Sequence, residues 1–219
     1  MIYVCLSAEG IENAEKQLGE EKFAELRIDL VKPSLQEMTD FILRRKDVKF
    51  IVTCRPGVFD EETSMNYLRK AIDINAAYVD IEIERGAALS KELERRALDT
   101  DFIDRTQIIV SYHNYQSTPS KEELEELWTK MINVHRGDIA KIACMVNEPF
   151  DNARLLGMYN VYTKRYVVAF GMGELGKITR PASLLCGAQF TYAAPDFGSA
   201  TAPGQFTVSQ LKALYNTLK

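Results

Sequence analysis

The chain has little of what marks metal, membrane or nucleic-acid chemistry. Its four cysteines (Cys5, Cys54, Cys144 and Cys186) lie far apart and form no CxxC pair, so a zinc site has no support. Cys5, Cys54 and Cys144 fall in apolar, strand-like segments, and reduced, buried thiols of a cytoplasmic protein are expected. No run reaches about 18 apolar residues, so no helical membrane span is expected. The chain opens directly on a strand pattern, Met1 to Leu6, without a basic stretch ahead of an apolar one, and no signal peptide is expected. Positive charge is not in surplus: 27 Lys and Arg face 31 Asp and Glu, a net −4, which removes the electrostatic case for a nucleic-acid partner. No GxGxxG follows the first strand, which weakens a Rossmann reading. A fixed-period repeat, a low-complexity tract and a Pro/Gly/Ser-rich linker are all absent, so residues 1–219 are expected to form a single domain.

What is present is a large apolar fraction, 46%, arranged in short runs. Eight of these read as strands rich in Val, Ile, Tyr and Phe: Ile2–Ser7, Phe23–Leu30, Phe50–Cys54, Ala77–Ile83, Gln107–Tyr112, Ile139–Met145, Tyr166–Phe170 and Gln189–Ala193. Helix-start chemistry stands between them. Ser34 with Glu37, Ser120 with Glu123, and Thr207 with Gln210 form capping boxes. Asp151 is placed to cap a helix through about Lys164, and Pro181 reads as an N1 proline with Gly187 as the matching stop. The acidic run Glu122, Glu123, Glu125, Glu126 reads as a solvated first helical turn. Eight strands alternating with helices suggest an α/β fold, a closed (β/α)8 TIM barrel, with an open doubly wound sheet as the rival.

In such a barrel, chemistry collects where the strands end. Lys141 lies inside the apolar run Ile139–Met145. An unpaired ammonium buried there would be driven toward the neutral, nucleophilic amine that forms Schiff bases; alternatively its stem snorkels to solvent. Glu25, Arg27 and Asp29 alternate along the second strand and so share a face, as a ligand site, an ion network or both. Arg55 ends the third strand, and Asp80 and Glu82 share a face of the fourth. His113 ends the fifth strand, beside the strand of Lys141, where an imidazole base can serve a lysine nucleophile. His135, the other histidine, looks like an exposed helix end. Arg180, next to Pro181 at a helix start, is suited to a carboxylate or phosphate. Residues 195–205 read as a lid with glycine hinges, and Met172 and Tyr192 as apolar walls or plain core.

Six segments in this order resemble the motifs of the type I 3-dehydroquinate dehydratase family. They are Glu25-Leu26-Arg27-Ile28-Asp29, Thr53-Cys54-Arg55-Pro56, Ser111-Tyr112-His113-Asn114-Tyr115 with Thr118-Pro119, Asp138-Ile139-Ala140-Lys141-Ile142-Ala143, Gly171-Met172-Gly173 through Ile178-Thr179-Arg180, and Ala202-Pro203-Gly204-Gln205. The resemblance implies a (β/α)8 barrel, a homodimer, no metal or cofactor, and dehydration of 3-dehydroquinate in the shikimate pathway. It implies that Lys141 forms the imine and His113 is the acid/base. Glu25, Arg27, Arg55, Arg180, Thr201 and Gln205 would hold the small-molecule substrate, with Met172 and Tyr192 as its walls.

The chain departs from the family pattern where a glutamate that pairs with the histidine is expected shortly after the third-strand arginine. The stretch here is shorter, and Phe59 stands at that offset. Glu82, Asp60 and Glu61 are the carboxylates that remain for His113. Thr201 replaces a serine but keeps a hydroxyl, and Asn114-Tyr115 stands where Asp-Phe is common. Two rival functions share the motifs: a class I aldolase-type lyase on the same barrel, and a homologue that binds the acid but turns it over poorly.

Overall fold

The computed structural model describes residues 1–159, 166–197, 202 and 204–218. Eight parallel strands alternate with helices around a nearly closed barrel. In chain order they are β1 (Ile2–Leu6), α1 (Ile11–Leu18), β2 (Phe23–Arg27), α2 (Ile28–Val31), α3 (Leu35–Arg44), β3 (Lys49–Thr53), α4 (Glu61–Asp73), β4 (Tyr78–Glu82), α5 (Ala87–Leu98), β5 (Gln107–Asn114), α6 (Lys121–Thr129), β6 (Ile139–Met145), α7 (Pro149–Leu156), β7 (Val167–Met172), α8 (Thr179–Cys186), β8 (Thr191–Ala193) and α9 (Val208–Leu218). The ladder runs β7-β6-β5-β4-β3-β2-β1-β8. Among the described residues no ladder joins β7 to β8; the ring of Phe170 on β7 meets that of Tyr192 on β8 across that seam, centroids 5.8 Å apart.

Alternation along the strands divides two cores. One set of side chains, including Leu26, Val52, Val79, Ile108 and Ile142, points outward under the helices. The other, including Tyr3, Ile51, Tyr78, Ile109, Ile139 and Phe190, fills the barrel. Period-two geometry then predicts which residues share the barrel's inner face higher up. Two steps beyond Ile109 is Ser111, two beyond Tyr78 is Asp80, and two beyond Ile139 is Lys141. The interior thus changes from aromatic and aliphatic to charged as the strands run toward their C-terminal ends.

The three capping boxes form as read. Ser34 and Glu37 close α3, Ser120 and Glu123 close α6, and the Thr207 and Gln210 side chains satisfy each other's backbone N–H at α9. The acidic run of α6 is exposed. Several boundaries differ from the reading of the sequence. β2 stops at Arg27, and Ile28–Val31 winds into one helical turn that ends at Lys32 in the left-handed region (φ 51°). α7 starts at Pro149, with Asp151 inside its first turn accepting the N–H groups of Asn147 and Glu148, and it ends at Leu156; residues 160–165 of the expected extension lie outside the described set. α8 starts at Thr179, so Pro181 is its third residue rather than its first, while Gly187 stops it at φ 105°.

His135 is not an exposed cation. α6 continues into a wider turn over Lys130–Val134, which brings the imidazole inward against Ser90 of α5, Nδ1 to Oγ 3.3 Å. Burial there pushes its pKa down. None of the four cysteines is in a disulfide; Cys186 differs from the other three in being exposed.

Candidate active site

The site is assembled by register. β5 pairs with β6 so that Ser111 faces Lys141 and His113 faces Ala143; β4 pairs with β5 so that Glu82 faces Ser111. One pocket at the C-terminal end of the barrel is lined by Glu25, Arg27, Arg55, His113, Lys141, Met172, Arg180, Tyr192 and Gln205. The residues that the resemblance assigns to catalysis and substrate binding are therefore brought together, except Thr201, which lies outside the described residues. The same pocket takes in Cys5, Tyr115, Ala143, Phe170 and Ala202, which the sequence did not single out.

Lys141 is 3% exposed, which rules out a snorkelling stem. Nor is it the isolated ammonium that its apolar run suggested. Its Nζ donates to Asp80 Oδ2 at 2.7 Å and lies 3.4 Å from Glu25 Oε1, over the Tyr192 ring at 4.3 Å. The reason is the inward face: Glu25 and Asp80 arrive at the same level from β2 and β4, and a buried cation needs such partners. Asp80 is held from behind by Ser111 Oγ, 2.5 Å from Oδ1, and Thr53 Oγ1 donates to Glu25 at 2.9 Å. Burial alone would raise the Glu25 carboxyl, but Lys141, Arg27 and Arg55 outweigh it and bring it down to about 2.

Arg27 and Asp29 form a bidentate pair, Nε–Oδ1 3.0 Å and Nη2–Oδ2 2.6 Å. Asp29 reaches Arg27 from the helical turn after β2 and not from a continued strand, and it also accepts the Arg55 N–H at 3.3 Å. Asp29 thus anchors two arginines at the pocket rim.

Of the three carboxylates open as partners of His113, Glu82 is the one that reaches it, Oε1 to Nδ1 3.5 Å. Asp60 caps α4 through Thr63, and Glu61 is exposed on that helix. Phe59 packs on Tyr67. Arg55 bonds Glu82 through Nη1, which also lies 3.0 Å from His113 Nδ1, and places Nη2 2.8 Å from His113 Nε2. A guanidinium only donates, so the ring meets it as an acceptor, which requires a neutral imidazole. Burial, followed by the charges of Arg55, Lys141 and Arg27, holds the imidazole pKa well below its usual value. A neutral ring with an available lone pair is a base.

Arg180 is 1% exposed; Nη1 donates to the Tyr192 carbonyl at 3.4 Å, Nε and Nη2 lack a partner among the described residues, and the guanidinium lies over Phe170 at 4.4 Å. Burial pushes it down to about 10, against the pull of Cys5 and Glu25. A buried cation with unsatisfied donors facing a pocket is chemically suited to an anion. Gln205 enters from the segment before α9, donating to Cys5 Sγ at 3.3 Å. That approach depends on Gly204 (φ 75°), where a β-carbon would collide with the backbone oxygen of Gly173. Among the described residues no group of three or more His, Cys, Asp or Glu is arranged to hold a metal ion.

Fold and pocket together define a (β/α)8-barrel enzyme acting on a small molecule, with a lysine and a neutral histidine at the mouth. A family model described as type I 3-dehydroquinase matches residues 2–219. The 3-dehydroquinate dehydratase of Methanocaldococcus jannaschii is 33% identical over 211 residues, covering 95% of this chain and 92% of that protein. That of Dehalococcoides mccartyi is 33% identical over 202 residues, covering 90% and 86%. Among solved structures, the type I enzyme of Clostridium difficile superposes with a TM-score of 0.84 at 22% identity, covering 99% and 91%. The Aquifex aeolicus enzyme does so at 0.80 and 25% identity, covering 100% and 99%. The chain belongs to the type I 3-dehydroquinase family, hydro-lyases that dehydrate 3-dehydroquinate in the shikimate pathway.

Asp80 and Glu82 are the site residues that sequence reasoning undervalued. Their signal was visible as two carboxylates spaced by two on one face of a strand; Glu82 stood as one of three candidates for His113, and nothing in the sequence paired Asp80 with the lysine.

Proposed function

We propose that residues 1–219 act as one catalytic domain that dehydrates 3-dehydroquinate through an imine on Lys141. The observation that carries this reading is a lysine held almost fully buried in the same pocket as a neutral imidazole. The Lys141 amine attacks the ketone, water leaves, and the resulting iminium draws electrons from the adjacent carbon. His113 removes the proton from that carbon, and an enamine forms. The enamine expels the β-hydroxyl, which leaves as water with a proton returned by His113. Hydrolysis of the imine then releases the enone and restores the lysine. Splitting the reaction in this way replaces one hard step by several easier ones, and no metal or cofactor is needed.

Arg180 takes the substrate carboxylate on its two unsatisfied donors, which fixes the reacting carbon near the amine. Glu25, Arg27, Arg55, Thr201 and Gln205 hold the hydroxyls, and Met172 and Tyr192 wall the ring. The protein works as a cytoplasmic homodimer. Four cysteines outside any disulfide support a reducing compartment, and the exposed Phe150, Ile178 and Leu185 along the packed pair α7 and α8 support a self-association face.

Borohydride reduction with 3-dehydroquinate, followed by peptide mapping, tests the core of this reading. The trapped adduct is expected on Lys141, and Lys141→Ala abolishes both trapping and turnover. His113→Ala is expected to trap the adduct yet fail to release product. An adduct on another residue removes the nucleophile assignment, and near-normal turnover of His113→Ala removes the acid/base role.

A further inference from the structure

We infer that Asp80 is a catalytic residue of the covalent step: it takes the proton that Lys141 must shed before attack and then stands as counter-ion to the iminium. The inference rests on Lys141 being the nucleophile and goes beyond it. Three neighbouring strands carry the argument. Asp80 on β4, Ser111 on β5 and Lys141 on β6 form one buried chain, Ser111 Oγ to Asp80 Oδ1 at 2.5 Å and Asp80 Oδ2 to Lys141 Nζ at 2.7 Å. Ser111 occupies one carboxylate oxygen and so aims the other at the nitrogen.

Glu25 is a weaker claimant. It stands 3.4 Å from Nζ, the same oxygen accepts Thr53, and its charge also answers Arg27 and Arg55. A buried ion pair is a poor device for stability alone, because desolvation of two charges offsets their attraction. Here the pair has a use. An ammonium has no lone pair, and in a dry pocket the only inexpensive destination for its proton is a base already in contact.

The step balances. The Nζ–H bond breaks and Asp80 gains the proton, leaving a neutral amine beside a neutral acid. The nitrogen lone pair bonds the ketone carbon, and the carbonyl π pair moves to oxygen. Nitrogen gives up two protons in all, each taken by Asp80 and passed to that oxygen, which leaves as water. The carboxylate is regenerated beside an iminium that carries the charge the ammonium had. Ammonium plus ketone has become iminium plus water.

The test is the single-turnover rate of imine formation, read by quenched borohydride reduction and intact mass. Asp80→Asn keeps the shape and removes the base. It is expected to slow adduct formation by at least about 100-fold, within the range of general-base contributions. No adduct accumulates in this variant, whereas His113→Ala accumulates it. Ser111→Ala keeps the carboxylate but frees its aim, and is expected to slow adduct formation about 3- to 10-fold, the worth of one hydrogen bond. Adduct formation at the unsubstituted rate in Asp80→Asn overturns the inference. Should that variant not fold, an unchanged rate in Ser111→Ala overturns it instead. An adduct that maps away from Lys141 in the unsubstituted protein removes the nucleophile reading; one on Lys141 that forms normally in Asp80→Asn removes Asp80 alone.

Discussion

The two ends of the barrel interior are built from the same strands, the same alternation and the same degree of burial, yet they differ in what is left unsatisfied. At the lower end Tyr3 packs against Phe23, Tyr78 and Phe190, with ring centroids 5.1–6.2 Å apart, and Ile51, Ile109 and Ile139 fill the rest. At the upper end Glu25, Lys141, Asp80 and Ser111 form a chain of hydrogen bonds, and Arg180 keeps two nitrogens with no acceptor among the described residues. The lower end is a plug of ring and aliphatic packing whose unsatisfied groups, the Tyr3 hydroxyl among them, are neutral. The upper end is a site whose positive charge is completed by something that is not part of the chain. The difference separates packing that holds the barrel together from polarity that holds a substrate.

Substitutions at the two ends are expected to move opposite observables. Arg180→Met removes the donors that meet an anion. It is expected to lower kcat/KM by about 10²–10³-fold, the roughly 3–4 kcal/mol of a desolvated charge pair. It also removes a buried cation that has only a long bond to the Tyr192 carbonyl and the Phe170 ring to offset its desolvation, so Tm is expected to rise. Steady-state kinetics and calorimetry on one sample check both. Ile51→Ala at the plug is expected to cost about 2–5 kcal/mol of stability by opening a cavity, while the folded fraction keeps its kcat. A fall in Tm for Arg180→Met, or a collapse of kcat for Ile51→Ala in folded protein, would erase the division between the ends.

The plug was the easier part to read. Apolar runs of strand length with capping boxes between them suffice to suggest a barrel, because burial on an inward face leaves few alternatives for Tyr3 or Ile109. Lys141 and His113 were legible for a related reason: a cation or an imidazole in such a run is anomalous. Pairing was not legible. Which carboxylate faces the lysine depends on the stagger of β4 against β5 and β6, a long-range quantity. Asp29 misled because its parity fitted a strand, whereas its bond to Arg27 is made from a helical turn. His135 misled because the widened turn after α6 reverses which face the ring takes.

Acid exposes the mouth before the plug. Glu25 titrates at about 2 in the fold, below the ordinary carboxylate range near 4.5, so its contribution to stability is complete above that range and is lost as pH falls toward 2. His113 is held neutral, its pKa also lowered, so the unfolded chain binds its proton first. Stability from this group is complete above about pH 6.5 and declines as pH falls below it. Thermal unfolding from pH 7.5 to 5 is expected to show a decline that His113→Asn flattens. NMR titration should find the His113 ring neutral through the upper part of that range. A ring that protonates near 6.5 would contradict the desolvated site.

The smallest effect is expected at the lower rim, where Arg105 and Asp138 form a bidentate pair with N–O distances of 2.6 and 3.0 Å. This pair resembles the mouth in chemistry and differs from it in completeness. Asp138 also accepts the Ile108 N–H at 2.8 Å, Arg105 also donates to the Thr106 carbonyl, and the side chains are 31% and 19% exposed. Water can therefore replace the arginine, whose charge Asp138 already meets. Arg105→Ala is expected to cost about 1 kcal/mol, or about 2–4 °C in Tm, with kcat and KM unchanged. If that substitution instead altered KM, ion pairing anywhere in the barrel would affect substrate affinity, and the surplus donors of Arg180 would lose their special standing. An unaltered KM leaves unmet charge, rather than charge itself, as the property that distinguishes the mouth.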